Sequence, residues 1–371
     1  MSEKLRGDLS VITLRGGEEF TGRVDEYLKR WRGNNDGFVI KPDLPRFGTG
    51  ESKCTLHDSM RGHDLYIIAD CFNYGVRYKM YGESVPMSPD DHFQDLKRII
   101  CAIEGKAERI SVIMPMLYEG RQHKRTMRES LDCAMALQEL VNMGVTNILT
   151  FDAHDARVQN AIPLHGFDNI HPTYQMIKAL IRKYPDIELK REKIMVISPD
   201  DGAMSRCRYY ASMLGLDLGM FYKRRNYSVI INGRNPIEAH EYLGKNVRNK
   251  DIIVVDDMIS SGESMFEVAQ QLKEKGARRI FIFAAFGLFA NGLARFDEMY
   301  EKGVFDRIFT TNLIYRSDEV KKREWYTEVN MCKYVALLIE TLNHDKTISD
   351  LLNPSKRIHD LLMQLPPEQR N

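Results

Sequence analysis

The sequence predicts an α/β protein made of two sets of mostly parallel sheet, each flanked by helices. Three observations predict it. Short apolar runs that read as buried strands recur along the chain, amphipathic helical patterns lie between them, and the alternation occurs twice, once before about residue 170 and once after. Strand–helix alternation of this kind covers a parallel sheet on both faces.

In chain order, ISVIMPM (110–116) reads as a strand. RESLDCAMALQELVNM (128–143) reads as a helix, with Leu131, Met135 and Leu140 near one face. NILTFD (147–152), IMVISPD (194–200), LGMFYK (218–223), IIVVDD (252–257), IFIFAAF (280–286) and RIFTTNL (307–313) read as further strands. Helical patterns fill 203–214 and 264–275; in the second, Met265, Val268 and Leu272 share a face and Gly276 supplies a stop. The charged segment RKYPDIELKREK (182–193) is expected to be a surface loop, and the polar C-terminal tail to fray at its end.

Bulk properties narrow the function classes. A chain of 371 residues can hold two domains with proper cores. Hydrophobic residues at 43% and charged residues at 28% are ordinary for a soluble globular protein. A net charge of +1 predicts neither a nucleic-acid nor a membrane partner. The start MSEKLRGDLS lacks a signal-peptide core, and no apolar run approaches the roughly 18 residues of a membrane helix. Cys54, Cys71, Cys101, Cys133, Cys207 and Cys332 are scattered, without a CxxC pair. That fits a reducing cytoplasm and argues against a disulfide framework or a zinc site.

The most informative stretch is DIIVVDDMISSGES (251–264). A buried strand runs into Asp256 and Asp257, then a turn of small hydroxyl residues and glycine, then a helix. Ligands of open parallel sheets sit beyond the carboxyl ends of the strands. There, backbone N–H groups and a helix N-terminus converge on an anion. Ser260, Ser261 and Ser264 add hydroxyl donors, and Gly262 permits close approach and positive φ. The two acids repel a phosphate but can accept hydrogen bonds from sugar hydroxyls or help hold magnesium. A serine-rich turn by itself reads as a helix cap; two acids at the mouth of a buried strand favour a phosphosugar site.

The segment is similar to the phosphoribosyl-pyrophosphate loop of the type I phosphoribosyltransferase superfamily, which leaves open an enzyme that consumes this compound and one that makes it. Four further stretches bear on the choice. MPMLYEGRQHKR (114–125) places Arg121, Gln122, His123, Lys124 and Arg125 in a basic loop suited to a triphosphate. LTFDAHDARVQ (149–159) puts Asp152, His154 and Asp155 at a strand end, a magnesium or triphosphate setting. ISPDDGAMSRCR (197–208) repeats strand, acid, glycine and helix, with Asp200 as the candidate ion ligand and Arg206 and Arg208 following. MFYKRRNYS (220–228) brings Lys223, Arg224 and Arg225 to a strand end, where cations can neutralise a transferring phosphoryl group.

In this order the stretches resemble the ribose-phosphate diphosphokinase family, also called phosphoribosyl-pyrophosphate synthetases, over most of the chain. FGTGESKCTLHDSMRGHDLYII (47–68) is similar to the family's nucleotide loop followed by an extended strand. The resemblance implies two similar phosphoribosyltransferase-like domains: 1–170 with the ATP-binding loops, completed by 343–371, and 171–342 with the ribose 5-phosphate loop. It implies a catalytic site between them. ATP would meet Phe47, Thr49, Glu51, Arg121 and Gln122. Ribose 5-phosphate would meet Asp256, Asp257, Ser260, Ser261, Gly262, Glu263 and Ser264. Mg²⁺ would meet His154, Asp200 and Asp152, and Lys223 and Arg225 would be catalytic. The expected partners are ATP, ribose 5-phosphate and further copies of the chain, as a dimer or hexamer with the ATP site near a subunit interface.

Four positions depart from the family pattern. The phosphate loop carries Ser260 where the family has Asp, and Glu263 where it has Gly. Thr49 stands between Phe47 and Glu51 in place of Asn or Asp. A His after the strand that follows the phosphate loop is replaced by AAFGLF. These departures make the chain a divergent member. They keep a second expectation open, a catalytically reduced regulatory homologue; a phosphoribosyltransferase, which has no use for an ATP site, is a third.

Overall fold

The apolar runs become strands whose ends are set by what pairs beside them. The computed structural model describes the backbone of residues 5–225 and 237–371, with side chains for 5–222 and 241–371. The chain divides into two units. The first comprises Met1–Pro172, Asn312–Ser317 and Asn330–Asn353; the second comprises Thr173–Thr311, Asp318–Val329 and Pro354–Asn371.

The first unit contains β1 (Asp8–Thr13), β2 (Val39–Ile40), β3 (His63–Ile68), β4 (Arg77–Met80), β5 (Glu83–Pro86), β6 (Arg109–Ile113), β7 (Asn147–Phe151) and β8 (Gly166–Ile170). Six of them form a parallel sheet ordered β2-β1-β3-β6-β7-β8, while β4 and β5 pair as a separate antiparallel hairpin. Helices α1 (Glu18–Arg32), α2 (Pro89–Ile103) and α3 (Asp132–Asn142) connect them. Ser88 and Asp91 form a capping box at the start of α2, with Pro89 in the first turn. Helix α3 starts later than its pattern suggests, because Thr126 bonds to Glu129 and Ser130 to Asp132 in the approach. Its buried stripe is Cys133, Ala136, Leu137 and Leu140, and Met135 is exposed. Met135 and Leu140 stand five residues apart, on different faces of a helix with 3.6 residues per turn, so the expected stripe could not be buried as one.

The second unit contains α4 (Thr173–Lys183), β9 (Ile194–Ser198), α5 (Met204–Leu214), β10 (Asp217–Arg225), β11 (Ile237–Leu243), β12 (Asp251–Ile259), α6 (Glu263–Glu274), β13 (Ile280–Gly287), α7 (Ala294–Glu301), β14 (Arg307–Thr311), α8 (Asp318–Lys321) and β15 (Tyr326–Val329). The sheet order is β11-β10-β9-β12-β13-β14-β15, parallel except for the β10–β11 pair. The chain leaves β9 toward one edge through β10 and returns to its other side as β12. The carboxyl ends of β9 and β12 therefore flank a topological switch point, the place where open α/β sheets hold ligands. Residues Met265, Val268 and Leu272 of α6 are buried as the spacing requires, and Gly276 follows the helix with φ +86°.

Helices α9 (Cys332–Asn343) and α10 (Ser349–Leu352) belong to the first unit, and α11 (Ser355–Met363) to the second. The C-terminal stretch expected whole beside the first domain is thus divided at Asn353. The 182–193 segment is only partly a surface loop. Its first residues end α4, and Ile187 and Leu189 are buried. Leu189 N–H donates to the Gln369 carbonyl at 2.7 Å, and Arg191 N–H to Asn371 Oδ1 at 3.1 Å. The tail is therefore tied down at its very end and does not fray. None of the six cysteines is bonded to another. Among the described residues no helix is long and apolar enough to cross a membrane.

A buried acid anchors the amino-terminal end of β12. Asp251 accepts from Arg278 at 2.8 and 2.6 Å and from Arg279 at 3.1 and 2.7 Å. Burial by itself would raise its pKa, but the two guanidiniums outweigh it and hold the carboxyl below its ordinary value of 3.8. A depressed folded-state pKa contributes stability above the unfolded value and loses it as the pH falls below about 4. Asp251→Ala is expected to lower unfolding stability by about 2 kcal/mol at neutral pH, and denaturant titrations should show this loss shrinking below pH 4.

Candidate active site

The hydroxyl-rich turn between β12 and α6 is held by its backbone and by one steric requirement. Strand β12 extends two residues past the two acids, because β13 continues beside it and pairs Met258 with Phe286 and Ile259 with Gly287. Asp256 and Asp257 therefore lie within the strand and point to opposite faces. Their carboxylates accept from the next residue's N–H, Asp257 N to Asp256 Oδ1 and Met258 N to Asp257 Oδ1, both at 2.9 Å. Burial and the neighbouring Asp257 push the Asp256 pKa well up; Arg206, whose Nη1 is 3.7 Å from Asp256, opposes them.

Gly262 caps α6 with φ +86° and ψ −12°. A Cβ there would stand 2.6 Å from Phe296 and 2.8 Å from Phe266, so glycine is required both for the dihedral and for the space. Ser260 and Ser261 are half-buried, and Ser264 is exposed in the first helical turn. That turn leaves backbone N–H groups without helical partners, facing outward along the helix axis. The AAFGLF segment supplies a ledge under the loop. Leu288 N–H donates to the Ile259 carbonyl at 2.8 Å, and Ala290 N–H to the Ser260 carbonyl at 3.0 Å. Glu263 is exposed, with its carboxylate 3.6 Å from Arg295.

At the neighbouring strand end, Asp200 sits in the turn after β9, its Oδ1 accepting from Ala203 N–H at 3.2 Å. Lys223, Arg224 and Arg225 close β10; their side chains lie outside the described residues.

The first unit carries the remaining residues. Phe47, Thr49 and Glu51 share one tight turn: Phe47 N–H donates to the Glu51 carbonyl at 2.8 Å, Gly50 N–H to the Phe47 carbonyl at 2.9 Å, and Thr49 Oγ1 to Glu51 Oε2 at 2.9 Å. Buried Arg46 staples the turn from below, donating to the Gly50 carbonyl at 2.9 Å and to Asp95 at 2.9 Å. Arg121 and Gln122 are exposed in the loop after β6, where Gln122 N–H donates to the Glu119 carbonyl at 2.8 Å. Among the described residues no hydrogen bond or ion pair joins this pair to the 47–51 turn.

Beyond β7, Asp152 is buried with φ +43°, its carboxylate 3.4 Å from His171. His154 is exposed and packs 5.2 Å, centroid to centroid, from His123 of the basic loop. His123 Nε2 lies 3.6 Å from Asp155, and its Nδ1 is buried without a hydrogen-bond partner among the described residues. The Arg157 guanidinium pulls the Asp155 carboxyl down to about 2. The structure thus brings the basic loop and the Asp-x-His stretch together, with Asp152 beside His171 and His154 beside His123. Among the described residues no three His, Cys, Asp or Glu side chains converge as a metal cage.

Comparison with known proteins places both halves of the chain. Residues 9–144 match the model of the N-terminal domain of ribose phosphate pyrophosphokinase, and residues 166–318 match the phosphoribosyl transferase domain. The chain belongs to the ribose-phosphate pyrophosphokinase family. The family's protein from Vibrio cholerae is 27% identical over 315 residues, covering 84% of this chain and 90% of its own length. That from Ureaplasma parvum is 28% identical over 336 residues, covering 90% and 91%. The crystal structure of phosphoribosylpyrophosphate synthetase from Mycobacterium smegmatis superposes with a TM-score of 0.74 at 20% identity, over 91% of this chain and 99% of the other. That likeness establishes the fold: mostly parallel sheets flanked by helices, in two phosphoribosyltransferase-like domains.

Within this family framework, sequence reasoning had not found the roles of Arg46, Arg206 and Arg295. Each acts through a partner distant in the chain, Asp95, Asp256 and Glu263 respectively, and no local pattern announces such pairs. The constraint at Gly262 is directly testable. Gly262→Ala is expected to cost at least about 1–3 kcal/mol, from left-handed strain plus the clash with the two phenylalanines. A thermal melt matching that of the wild type would contradict the assigned geometry.

Proposed function

We propose that the chain transfers the β,γ-diphosphoryl group of ATP to the C1 hydroxyl of ribose 5-phosphate, yielding phosphoribosyl pyrophosphate and AMP. The observation that carries the reading is the left-handed glycine turn at the N-terminus of α6, directly after two acids on β12, in a chain of this family. Ser260, Ser261, Ser264 and the first-turn N–H groups hold the 5-phosphate. Asp256 and Asp257 orient the ribose hydroxyls. Glu263 puts a like charge near that phosphate, and Arg295 offsets it.

Phe47 stacks on adenine, Glu51 and Gln122 read its edge, and Thr49 braces Glu51 by its hydrogen bond. Arg121 contacts the phosphate chain. Lys223 and Arg225 stabilise charge on the β-phosphate as it transfers. Such a reaction asks the protein mainly for positioning and electrostatics.

The donor set fits Mg²⁺, a hard cation that one or two protein groups hold while water and phosphate oxygens fill its remaining positions. We assign Mg²⁺ contacts to Asp152 and His154 and, separately, to Asp200. When bound, the ion neutralises phosphate charge and orients the phosphate chain. We further place the enzyme in the cytoplasm, consistent with six unpaired cysteines. We take it to be a homo-oligomer, dimer or hexamer, whose exposed 47–51 turn lies near a subunit interface.

A second reading, a regulatory homologue with reduced turnover, draws support from Ser260 and Glu263 in the phosphate loop. Incubation of the purified protein with Mg-ATP and ribose 5-phosphate should release AMP and phosphoribosyl pyrophosphate in equal amounts. Oligomerisation without either product would favour the regulatory reading. Lys223→Ala should lower turnover on the order of 100-fold to 1000-fold, as read from initial rates; near-full activity would remove Lys223 from the mechanism.

A further inference from the structure

The β4–β5 hairpin is absent from the mechanism above, yet it is built onto the nucleotide turn. Its two-residue loop is Tyr81–Gly82, with φ +48° and +88°. Two positive φ values in such a loop mark a type I′ turn, for which Asn–Gly is the favoured pair. A tyrosine in the left-handed region is strained. It is also 80% exposed, so no packing in the chain repays the strain. Strain held at an exposed aromatic points to a ligand.

The location says which ligand. Tyr81 N–H donates to the Gly48 carbonyl at 2.8 Å, fastening the hairpin tip to the residue beside Phe47. A Cβ on Gly50 would stand 3.1 Å from Met80 Sδ, so the hairpin also packs against the back of the turn. Tyr78 lies under the Arg46 guanidinium, 4.9 Å from its ring, and the same guanidinium holds the Gly50 carbonyl. Hairpin and turn are one braced unit with two exposed rings, Phe47 at 52% and Tyr81 at 80%.

We propose that Tyr81 is a second base-contacting residue, which together with Phe47 presents two aromatic rings to the purine of the nucleotide substrate. This rests on the reading of 47–51 as the nucleotide turn. Stacking on an aromatic ring suits any planar base and is strongest for a purine, so Tyr81 contributes affinity while Glu51 and Gln122 choose the base.

The test separates ring from turn. Tyr81→Asn creates the preferred Asn–Gly pair while removing the ring, and Tyr81→Phe keeps the ring. Calorimetric titration with ATP, steady-state kinetics, thermal melting and sedimentation are run on the full chain. Tyr81→Asn should melt at a higher temperature than wild type yet bind ATP about 5-fold to 100-fold more weakly. The loss should fall on KM for ATP rather than on KM for ribose 5-phosphate, and Tyr81→Phe should restore it. Wild-type ATP affinity in Tyr81→Asn would overturn the proposal, as would a loss of affinity that tracks subunit dissociation. If the wild type binds ATP in a Tyr81-dependent way but makes no phosphoribosyl pyrophosphate, the proposed reaction fails and the base contact stands. If it makes the product and Tyr81→Asn is indifferent, the base contact alone fails. A wild type that does not bind ATP defeats both.

Discussion

One left-handed glycine decides the shape of the second unit's ligand edge. Gly262 must turn the chain from β12 into α6 within a space bounded by Phe266 and Phe296. No other residue satisfies both the dihedral and the contact. The phenylalanines in turn belong to an aromatic stack with Phe289, Phe305 and Trp325. Apolar packing deep in the unit thereby aims polar backbone groups at its surface. The serines beside Gly262 add hydroxyls to the anion site proposed there, on a backbone that the core has already shaped.

The two units solve the opposite end of their sheets in the same way. In the first, Asp64 is buried near the start of β3, beside the strand that begins the sheet. Arg109 of the adjacent β6 neutralises it through two bonds at 2.7 Å, and the Asn343 amide of α9 donates a further hydrogen bond at 2.9 Å. In the second, Asp251 begins β12 and is neutralised by Arg278 and Arg279 at the entry to the adjacent β13. Buried acids are tolerated because paired guanidiniums satisfy them on both oxygens. Charge that serves stability is thus kept at the amino ends of the strands. The acids assigned to ligands, Asp200, Asp256 and Asp257, stand at the carboxyl ends.

Much of the fold was legible because it rests on local rules. Short, β-branched or aromatic apolar runs such as IIVV and IFIFAAF favour strands covered on both faces, and α6 shows its buried stripe in its spacing. Other parts were misread where a local rule competed with a distant one. Met135 reads as a core residue by its apolar type, but it falls outside the stripe of Cys133, Ala136, Leu137 and Leu140 that packs inward. The 182–193 segment looked like a loop because its charges hide Ile187 and Leu189, which the chain's last residues help to cover. The strand pair β4–β5 has only four residues on each side, mostly exposed, and the single alternation in RYKM is too short to announce it.

For the candidate site, residue types and their order were readable from the chain, since phosphate, sugar and cation each demand particular donors at a strand's carboxyl end. The sequence by itself determined the α/β class, the two acids followed by a hydroxyl-rich turn, and the need for glycine within it. Only the tertiary structure decided that Glu263 meets Arg295, that His123 meets Asp155, that Arg46 braces the turn bearing Phe47, and that a hairpin sets Tyr81 beside it. Those pairings join residues far apart in the chain, and their geometry follows from packing and burial, which no local pattern encodes.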